Sequence, residues 1–275
     1  MIVHPALPRL LIIGGPTASG KSSLALEVAE QLNGTVINAD SMQVYRELRI
    51  LNARPDQQAL TRAQHRLYGV LSATERCSAG RWREMAVREI EIAWNDGKLP
   101  VLVGGTGLYL KALIEGISKI PEVDPNLREE AIALHDRIGA KEFRMELAKV
   151  DLITAERLSE GDTQRLTRAY EVYLATGTPL SEWHRDAPLT PVINADIQTL
   201  LLLPPREELY AACNSRFDSM LKAGALDEVR SLMKLKLAPS LPAMKALGVP
   251  ELVAHIRGKQ TLRLAAEDAK RATRN

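Results

Sequence analysis

The sequence predicts an α/β protein, in which a parallel sheet carrying a phosphate-binding loop (P-loop) is flanked by helices and interrupted by a helical insertion domain. Three observations predict this class. Short apolar runs alternate with segments of helical periodicity, a glycine-rich loop follows the first apolar run, and residues from about Ser118 to Asn194 show helical periodicity with little strand signal. Alternation of strands and helices favours a parallel sheet with helices on both faces.

The first elements surround the glycine-rich loop. The continuous apolar run Arg9–Ile13 predicts a strand, and the spacing of Leu24, Val28 and Leu32 predicts a helix over Ser22–Leu32. A second short strand, Thr35–Ala39, ends at Asp40. The order strand, loop, helix, strand predicts the start of a parallel sheet with helices on both sides.

Later elements return to the sheet. A helix is predicted from about Gly80 to Trp94, and the apolar run Leu99–Val103 follows as a strand. Ile197–Leu203, closed by two prolines, reads as a strand after the insertion, and helices follow from Arg206. The expected domains are residues 1–117 as the first part of the core, 118–196 as the helical insertion, and 197–275 as the second part of the core with a helical C-terminal segment.

Bulk composition narrows the class of protein. The 36 Lys and Arg nearly balance the 34 Asp and Glu, so a nucleic-acid partner would need a local basic face. Two cysteines, Cys77 and Cys213, form no disulfide framework and favour a reducing compartment. No apolar stretch reaches membrane-spanning length, and the N-terminus lacks a basic leader. We expect a cytoplasmic protein that has no membrane partner.

The strongest single motif is the glycine-rich loop, which matches the phosphate-loop pattern between a strand and a helix. Its glycines let backbone amides point at anionic oxygens, its lysine adds a point charge, and the hydroxyl of Ser22 can bind Mg²⁺. A di- or triphosphate site is therefore predicted. Its residues are Gly15, Pro16, Thr17, Ala18, Ser19, Gly20, Lys21 and Ser22.

The loop alone does not name a reaction. ATPases usually carry a second Asp at the end of a buried strand, but Leu99–Val103 runs into Gly104, Gly105 and Thr106. The acid stands instead at Asp40, after the neighbouring strand. Asp40 could arrange Mg²⁺ through water, act as a base on a substrate proton, or cap a helix.

Several motifs together resemble the tRNA dimethylallyltransferases, also called tRNA isopentenyltransferases. They are GPTASGKSSLA, NADSMQVYR, VGGTGLYLKALIEG, DTQRLTRAYEVYLATGTPLSEW and SRFDSML, in that order. The resemblance implies transfer of a dimethylallyl group from dimethylallyl diphosphate to the N6 amine of the adenine 3′ of the anticodon. In that case the loop holds the diphosphate of the prenyl donor, with Mg²⁺, and the bond that breaks is carbon–oxygen.

The resemblance also implies roles for individual residues. Asp40 matches the general base, Thr106 a position that contacts both diphosphate and tRNA, and Arg216 an arginine that reaches the diphosphate. The residues matched to the tRNA, at its anticodon stem-loop, are Asp40, Ser41, Met42, Gln43, Thr106, Gln164, Arg165, Leu166, Thr167 and Arg168. A monomer is expected. Relatives usually continue past AEDAKRATRN, so we expect a shortened chain that holds tRNA more weakly than a longer version.

Three alternatives stay open from the residues. A small-molecule or nucleotide kinase would share the loop and the insertion. A prenyltransferase that acts on free adenine nucleotides would share the donor site. A non-catalytic RNA-binding switch would use the loop only to sense a nucleotide.

Overall fold

A computed structural model of the chain describes residues 7–118, 120–185 and 192–274. It divides into two compact units, of which the first combines Met1–Ile114 with Val192–Asn275 and the second is Glu115–Pro191. The chain therefore leaves the first unit once and returns to it after a continuous insertion.

The first unit is built on a parallel five-stranded sheet of order β3-β2-β4-β1-β5. The strands are β1 (Arg9–Gly14), β2 (Gly34–Asn38), β3 (Gln64–Arg66), β4 (Leu99–Gly104) and β5 (Asp196–Leu201). In the register of the central strands, Leu102 lies opposite Ile12 on one side and Ile37 on the other. The α/β class and the parallel sheet predicted from the sequence are confirmed.

Helices account for most of the rest of the described chain. In chain order they are α1 (Lys21–Gln31), α2 (Gln57–Arg62), α3 (Ala79–Asn95), α4 (Gly107–Ile114), α5 (Pro125–Ile138), α6 (Ala140–Ala148), α7 (Leu152–Arg157), α8 (Thr163–Thr176), α9 (Leu180–Arg185), α10 (Arg206–Lys222), α11 (Ala225–Lys234), a 3₁₀ turn (Pro242–Lys245), α12 (Val249–Ile256) and α13 (Leu262–Arg274). Within the described ranges, the helices are too short or too polar to cross a bilayer.

Helices pack on the sheet through buried apolar clusters. Ala25 and Ala29 of α1 lie in one buried cluster with Val36 and Val101. Trp82 of α3 belongs to a second cluster, and its ring stacks on Tyr109 with centroids 4.6 Å apart. Burial of such large apolar side chains stabilises the fold by about 1.5–3 kcal/mol each.

The second unit contains α5 to α9, and none of its described residues lies in a strand. Phe143, Leu147 and Leu166 are fully buried in its core. Aspartates precede three of its helices and accept hydrogen bonds from their first-turn amides, which satisfies donors that lack intrahelical partners. These caps are Asp124, Asp151 and Asp162.

The structure adds elements that the sequence did not predict. Helix α2 and strand β3 lie between Asp40 and Gly80, and β3 consists of polar residues at the edge of the sheet. Three residues without apolar alternation give no strand signal, so β3 depends on its pairing with β2. Strand β5 ends at Leu201, two residues earlier than expected, and lies at the opposite edge.

Candidate active site

Loops that follow β1, β2 and β4 meet at the carboxyl edge of the sheet, where open parallel sheets bind ligands. The loop after β1 is the phosphate-loop motif, the loop after β2 begins at Ala39, and the loop after β4 holds Gly105 and Thr106. Three separate stretches of sequence therefore contribute to one site in the first unit.

The phosphate loop needs a glycine at its start. Gly15 has φ +147°, and a Cβ atom there would lie 2.4 Å from the carbonyl oxygen of Leu202. Lys21, the first residue of α1, donates through Nζ to the carbonyl oxygen of Pro16 and lies 3.5 Å from the hydroxyl of Ser19. Gly20 before it has no side chain that could cap the helix, so the first amides of α1 are available to an anion.

Asp40 is half-buried, and one of its carboxylate oxygens is fixed. Oδ1 accepts hydrogen bonds from the backbone amides of Met42 at 2.8 Å and Gln43 at 3.3 Å. Asp40 thus caps the turn that follows β2, a local role that the sequence analysis considered only for a helix. Among the described residues, none donates a hydrogen bond to Oδ2, which leaves one oxygen available for a substrate.

Asn38 holds the backbone of this loop, and sequence analysis did not find it. Its Oδ1 accepts from the amide of Asp40 at 2.9 Å, while Nδ2 donates to the carbonyl oxygens of Asp40 at 3.0 Å and Leu67 at 3.1 Å. Trp82 in turn donates to the carbonyl oxygen of Asn38 at 2.9 Å. A polar residue in a fully buried strand was the available signal, because buried amides are retained where they make several hydrogen bonds.

Thr106 joins the loops after β2 and β4. Its Oγ1 accepts from the amide of Ser41 at 3.0 Å, and its carbonyl oxygen accepts from the amide of Tyr109 at 2.9 Å at the start of α4. The hydroxyl proton of Thr106 is not used in the bond to Ser41, so it can be donated to a ligand. Asp40 and Thr106, predicted together from separate motifs, therefore lie in one hydrogen-bonded arrangement.

Two cations interact electrostatically with the same carboxylate, that of Asp40. Burial lowers the pKa of Lys21, the negative charge of Asp40 partly opposes this, and the positive charge of Arg216 lowers it further. Burial likewise lowers the pKa of Arg216, and the electrostatic effects of Cys213 and Asp40 partly oppose this. Arg216 lies on α10, where the thiol of Cys213 contacts the carbonyl oxygen of Thr17 at 3.8 Å. Two partly desolvated cations with one carboxylate favour binding of an anion.

Comparison with known proteins identifies the family. The family described as IPP transferase matches residues 43–275. A tRNA dimethylallyltransferase of Rhodospirillum centenum is 53% identical over 271 residues, which are 98% of this chain and 86% of that protein. This chain belongs to the tRNA dimethylallyltransferase family. It is therefore a prenyltransferase enzyme.

Solved structures of this family share the fold. A tRNA isopentenylpyrophosphate transferase of Staphylococcus epidermidis is 31% identical with a TM-score of 0.66, covering 97% of this chain and 86% of that one. A eukaryotic dimethylallyltransferase acting on tRNA is 27% identical with a TM-score of 0.79, covering 97% and 67%.

The other family-matched residues differ in exposure. Ser41, Met42 and Gln43 are half-buried beside Asp40. In the second unit, Gln164 and Arg165 are exposed, and Arg165 pairs with Asp162 at 3.2 Å. These exposed side chains are the ones that RNA could reach without rearrangement of the helix.

Three residues of the QRLTR motif have structural contacts of their own. Leu166 lies in the core, and the hydroxyl of Thr167 donates to the carbonyl oxygen of Thr163 at 2.7 Å. Arg168 lies 2.6 Å from the buried carboxylate of Glu171. The side chains of Leu166 and Thr167 therefore hold α8 in place, and direct RNA contact stays a prediction for them and for Arg168.

Tyr68 is a further residue near the site that the sequence did not indicate. Burial, and the negative charge of Asp40, raise the pKa of its phenol. The preceding Leu67 has φ +63°, a left-handed backbone that is unusual for leucine, and its carbonyl oxygen is held by Asn38. A strained residue held by a buried amide fixes the course of the chain beside Asp40.

The candidate site would suit a magnesium ion that is bound mainly by water and by substrate phosphates. Among the described residues, no group of three His, Cys, Asp or Glu side chains could hold a metal. Mg²⁺ commonly keeps several waters and binds one or two protein oxygens together with the phosphates of a substrate. Ser22, exposed in the first turn of α1 beside Lys21, supplies a hydroxyl that suits this arrangement.

Proposed function

We propose that this chain transfers a dimethylallyl group from dimethylallyl diphosphate to the N6 amine of the adenine 3′ of the anticodon in tRNA, releasing diphosphate. Family membership supports the reaction class. The observation that carries the residue assignments is that one half-buried carboxylate, Asp40, interacts electrostatically with both Lys21 and Arg216. This interaction supports an anion site with a base beside it.

The phosphate loop serves the leaving group. As the allylic carbon–oxygen bond breaks, its electron pair goes to the diphosphate oxygen, and negative charge grows there. Lys21, Arg216, the loop amides and the hydroxyl of Thr106 are the donors that meet this charge. Removal of one such donor typically raises a barrier by about 3 kcal/mol.

Ser22 is the residue that would hold Mg²⁺ against the diphosphate. Bound there, the ion would neutralise part of the charge on the departing diphosphate. The rest of the leaving-group stabilisation falls to the chain's own cations, which lie partly desolvated before the donor binds.

Asp40 serves the acceptor. The lone pair of the adenine N6 amine is delocalised into the ring, so the amine is a weak nucleophile until its proton is removed. The free oxygen of Asp40 takes this proton while N6 bonds to the allylic carbon, a contribution of about two to four orders of magnitude. The adenine must first leave the anticodon-loop stack, which costs a few kcal/mol.

The RNA contacts are proposed from family matches and from exposure. Residues 40–43 and Thr106 would meet the reacting nucleotide, and Gln164, Arg165 and Arg168 would meet the anticodon stem-loop through polar or charged groups. A cytoplasmic location and a monomeric state belong to the same proposal.

Mass spectrometry of an anticodon stem-loop incubated with the chain, dimethylallyl diphosphate and Mg²⁺ tests the reaction. We expect a mass gain of one C₅H₈ unit on that adenine, and none when guanine replaces it. A parallel incubation with γ-labelled ATP and nucleosides should show no phosphoryl transfer. Phosphorylated nucleoside without prenylated RNA would instead support a kinase.

Variants separate the two halves of the site. Asp40→Ala should keep binding of the donor and lose most of the transfer rate, because the base is lost while the phosphate loop and its cations remain. Lys21→Ala should weaken both, because the lysine binds the diphosphate before and during bond cleavage. Transfer by Asp40→Ala at the unmodified rate would show that the base assignment is wrong.

A further inference from the structure

The loop after Asp40 is supported by a carboxylate from a distant part of the sequence. Glu228 lies in the first turn of α11, and its oxygens accept three consecutive backbone amides. The distances are 2.6 Å from Arg49, 2.7 Å from Ile50 and 3.0 Å from Leu51. Hydrogen bonds from several amides to one carboxylate are of the stronger, charge-assisted kind.

The three amides begin a single closed turn. The amide of Ala53 donates to the carbonyl oxygen of Ile50 at 2.9 Å, and that of Arg54 donates to the carbonyl oxygen of Arg49 at 3.0 Å. Ala53 takes the left-handed φ of +45° that ends such a turn. The first amides of a turn have no partner within it, and Glu228 supplies one from outside.

Asn52, inside this turn, reaches the residues that fix Asp40. It is buried, its Nδ2 donates to the carbonyl oxygen of Met42 at 2.5 Å, and its own carbonyl oxygen accepts from Nε2 of Gln43 at 2.8 Å. Met42 and Gln43 are the two residues whose amides hold Oδ1 of Asp40. Hydrogen bonds at both ends of the turn, joined by its backbone, therefore connect α11 with the carboxylate.

We propose that Glu228 is a positioning residue for the prenyl transfer, acting through Asn52 to hold Asp40 in the orientation that receives the N6 proton. Glu228 touches neither phosphate loop nor Asp40 itself in the described hydrogen bonds. Its carboxylate fixes the turn, the turn fixes Asn52, and Asn52 fixes the amides that orient the base. This inference rests on the proposed role of Asp40.

Replacement of Glu228 should act on the rate and spare the donor site. Glu228→Ala leaves three amides without their acceptor, so the turn shifts and Asp40 loses its fixed orientation. A misplacement of about 1 Å at a reacting group can cost about a hundredfold in rate. We expect a tenfold to hundredfold lower single-turnover rate with bound stem-loop, and a Kd for an unreactive thiolodiphosphate analogue of the donor within about twofold of the parent value.

The chain offers a matched control. Asp227, the preceding residue of α11, is 78% exposed and pairs only with Arg230 at 2.8 Å among the described residues. Asp227→Ala removes the same charge from the same helical turn, and the rate should stay within about twofold. Glu228→Gln keeps one acceptor oxygen but turns an NH₂ group towards the third amide, so it should fold normally with an intermediate loss of rate.

A double-mutant cycle with Asp40 decides between positioning and general stabilisation, because residues that act as a unit are not additive. In the Asp40→Asn background, Glu228→Ala should lower the residual rate by less than about threefold, since no base is left to orient. An equal loss in both backgrounds would overturn the inference and leave the proposed function intact. Full activity of Asp40→Asn alone would overturn the base assignment and the inference with it.

Discussion

Gly104, the last residue of β4, lies so close to the chain beside Asp40 that one methyl group should disable the site. A Cβ atom at Gly104 would lie 2.1 Å from the carbonyl oxygen of Ala39 and 2.2 Å from its carbonyl carbon. Since real Cβ contacts lie above about 3 Å, Gly104→Ala must separate these two backbone segments by roughly 1 Å.

The neighbouring bonds give the size of the effect. The amide of Ala39 donates to the carbonyl oxygen of Val103 at 2.8 Å, and the carbonyl oxygen of Ala39 accepts from the amide of Thr106 at 3.4 Å. Overpacking typically costs about 1–3 kcal/mol, and each weakened hydrogen bond about 1 kcal/mol. A loss of about 3 kcal/mol corresponds to a fall in Tm of roughly 6–12 °C. The displaced Asp40 should lower the transfer rate about a hundredfold.

The assay pairs thermal unfolding with single-turnover transfer to a stem-loop. Gly107→Ala is the control, because a Cβ atom at the start of α4 meets no atom within 4 Å and alanine favours a helix. Its Tm should be unchanged or higher. If Gly104→Ala kept the parent Tm and rate, the close approach of β4 to Ala39 would not be what shapes this site.

Further predictions concern charge and packing. Burial lowers the pKa of Lys21, and a bound diphosphate would favour its charged form, so donor affinity should fall as pH rises through the free-protein pKa of Lys21. In calorimetry, the donor affinity of Lys21→Arg should not change over the same pH range. An equal fall in the affinity of Lys21→Arg would contradict this reasoning. Arg168→Met removes the nearer of two cations from the buried Glu171 and leaves only Arg128 at 3.7 Å, so it should cost about 2 kcal/mol in urea unfolding. Arg165→Met, which breaks an exposed pair, should cost under about 0.5 kcal/mol. Trp82→Phe removes the donor to the carbonyl oxygen of Asn38 and should lower both stability and transfer rate. Trp94→Phe, on the same helix α3, removes a donor to the carbonyl oxygen of Arg9 in β1 and should lower stability alone. Similar transfer rates for the two variants would argue against Asn38 as a support for Asp40.

The local sequence pattern predicted a strand or helix where the spacing of apolar residues matches the side of the element that is buried. The apolar runs at Arg9–Ile13 and Leu99–Val103 are the central strands, and the periodic faces around Leu24 and Trp82 are helices. The polar strand β3 gave no such pattern, because its conformation depends on pairing with β2 at the sheet edge.

The residues of the candidate site likewise divide into those that the sequence indicated and those that it did not. The motifs predicted that Lys21, Asp40 and Thr106 would lie in one site, because strands of a parallel sheet end at a common edge. No motif indicated Asn38 or Glu228, whose roles come from hydrogen bonds to backbone groups far away in the chain. A backbone amide looks the same at every position in a sequence, so its partner cannot be inferred from the letters.

By itself the sequence determined the family of this protein, and it predicted a phosphate loop and an acid after a buried strand as the candidate reacting groups. Only the tertiary structure decided how that acid is held: one oxygen accepts from Met42 and Gln43, and the other accepts no hydrogen bond from the part of the chain that the structure describes. The physical reason is that residue type sets which hydrogen bonds are possible, whereas distance and burial set which of them form.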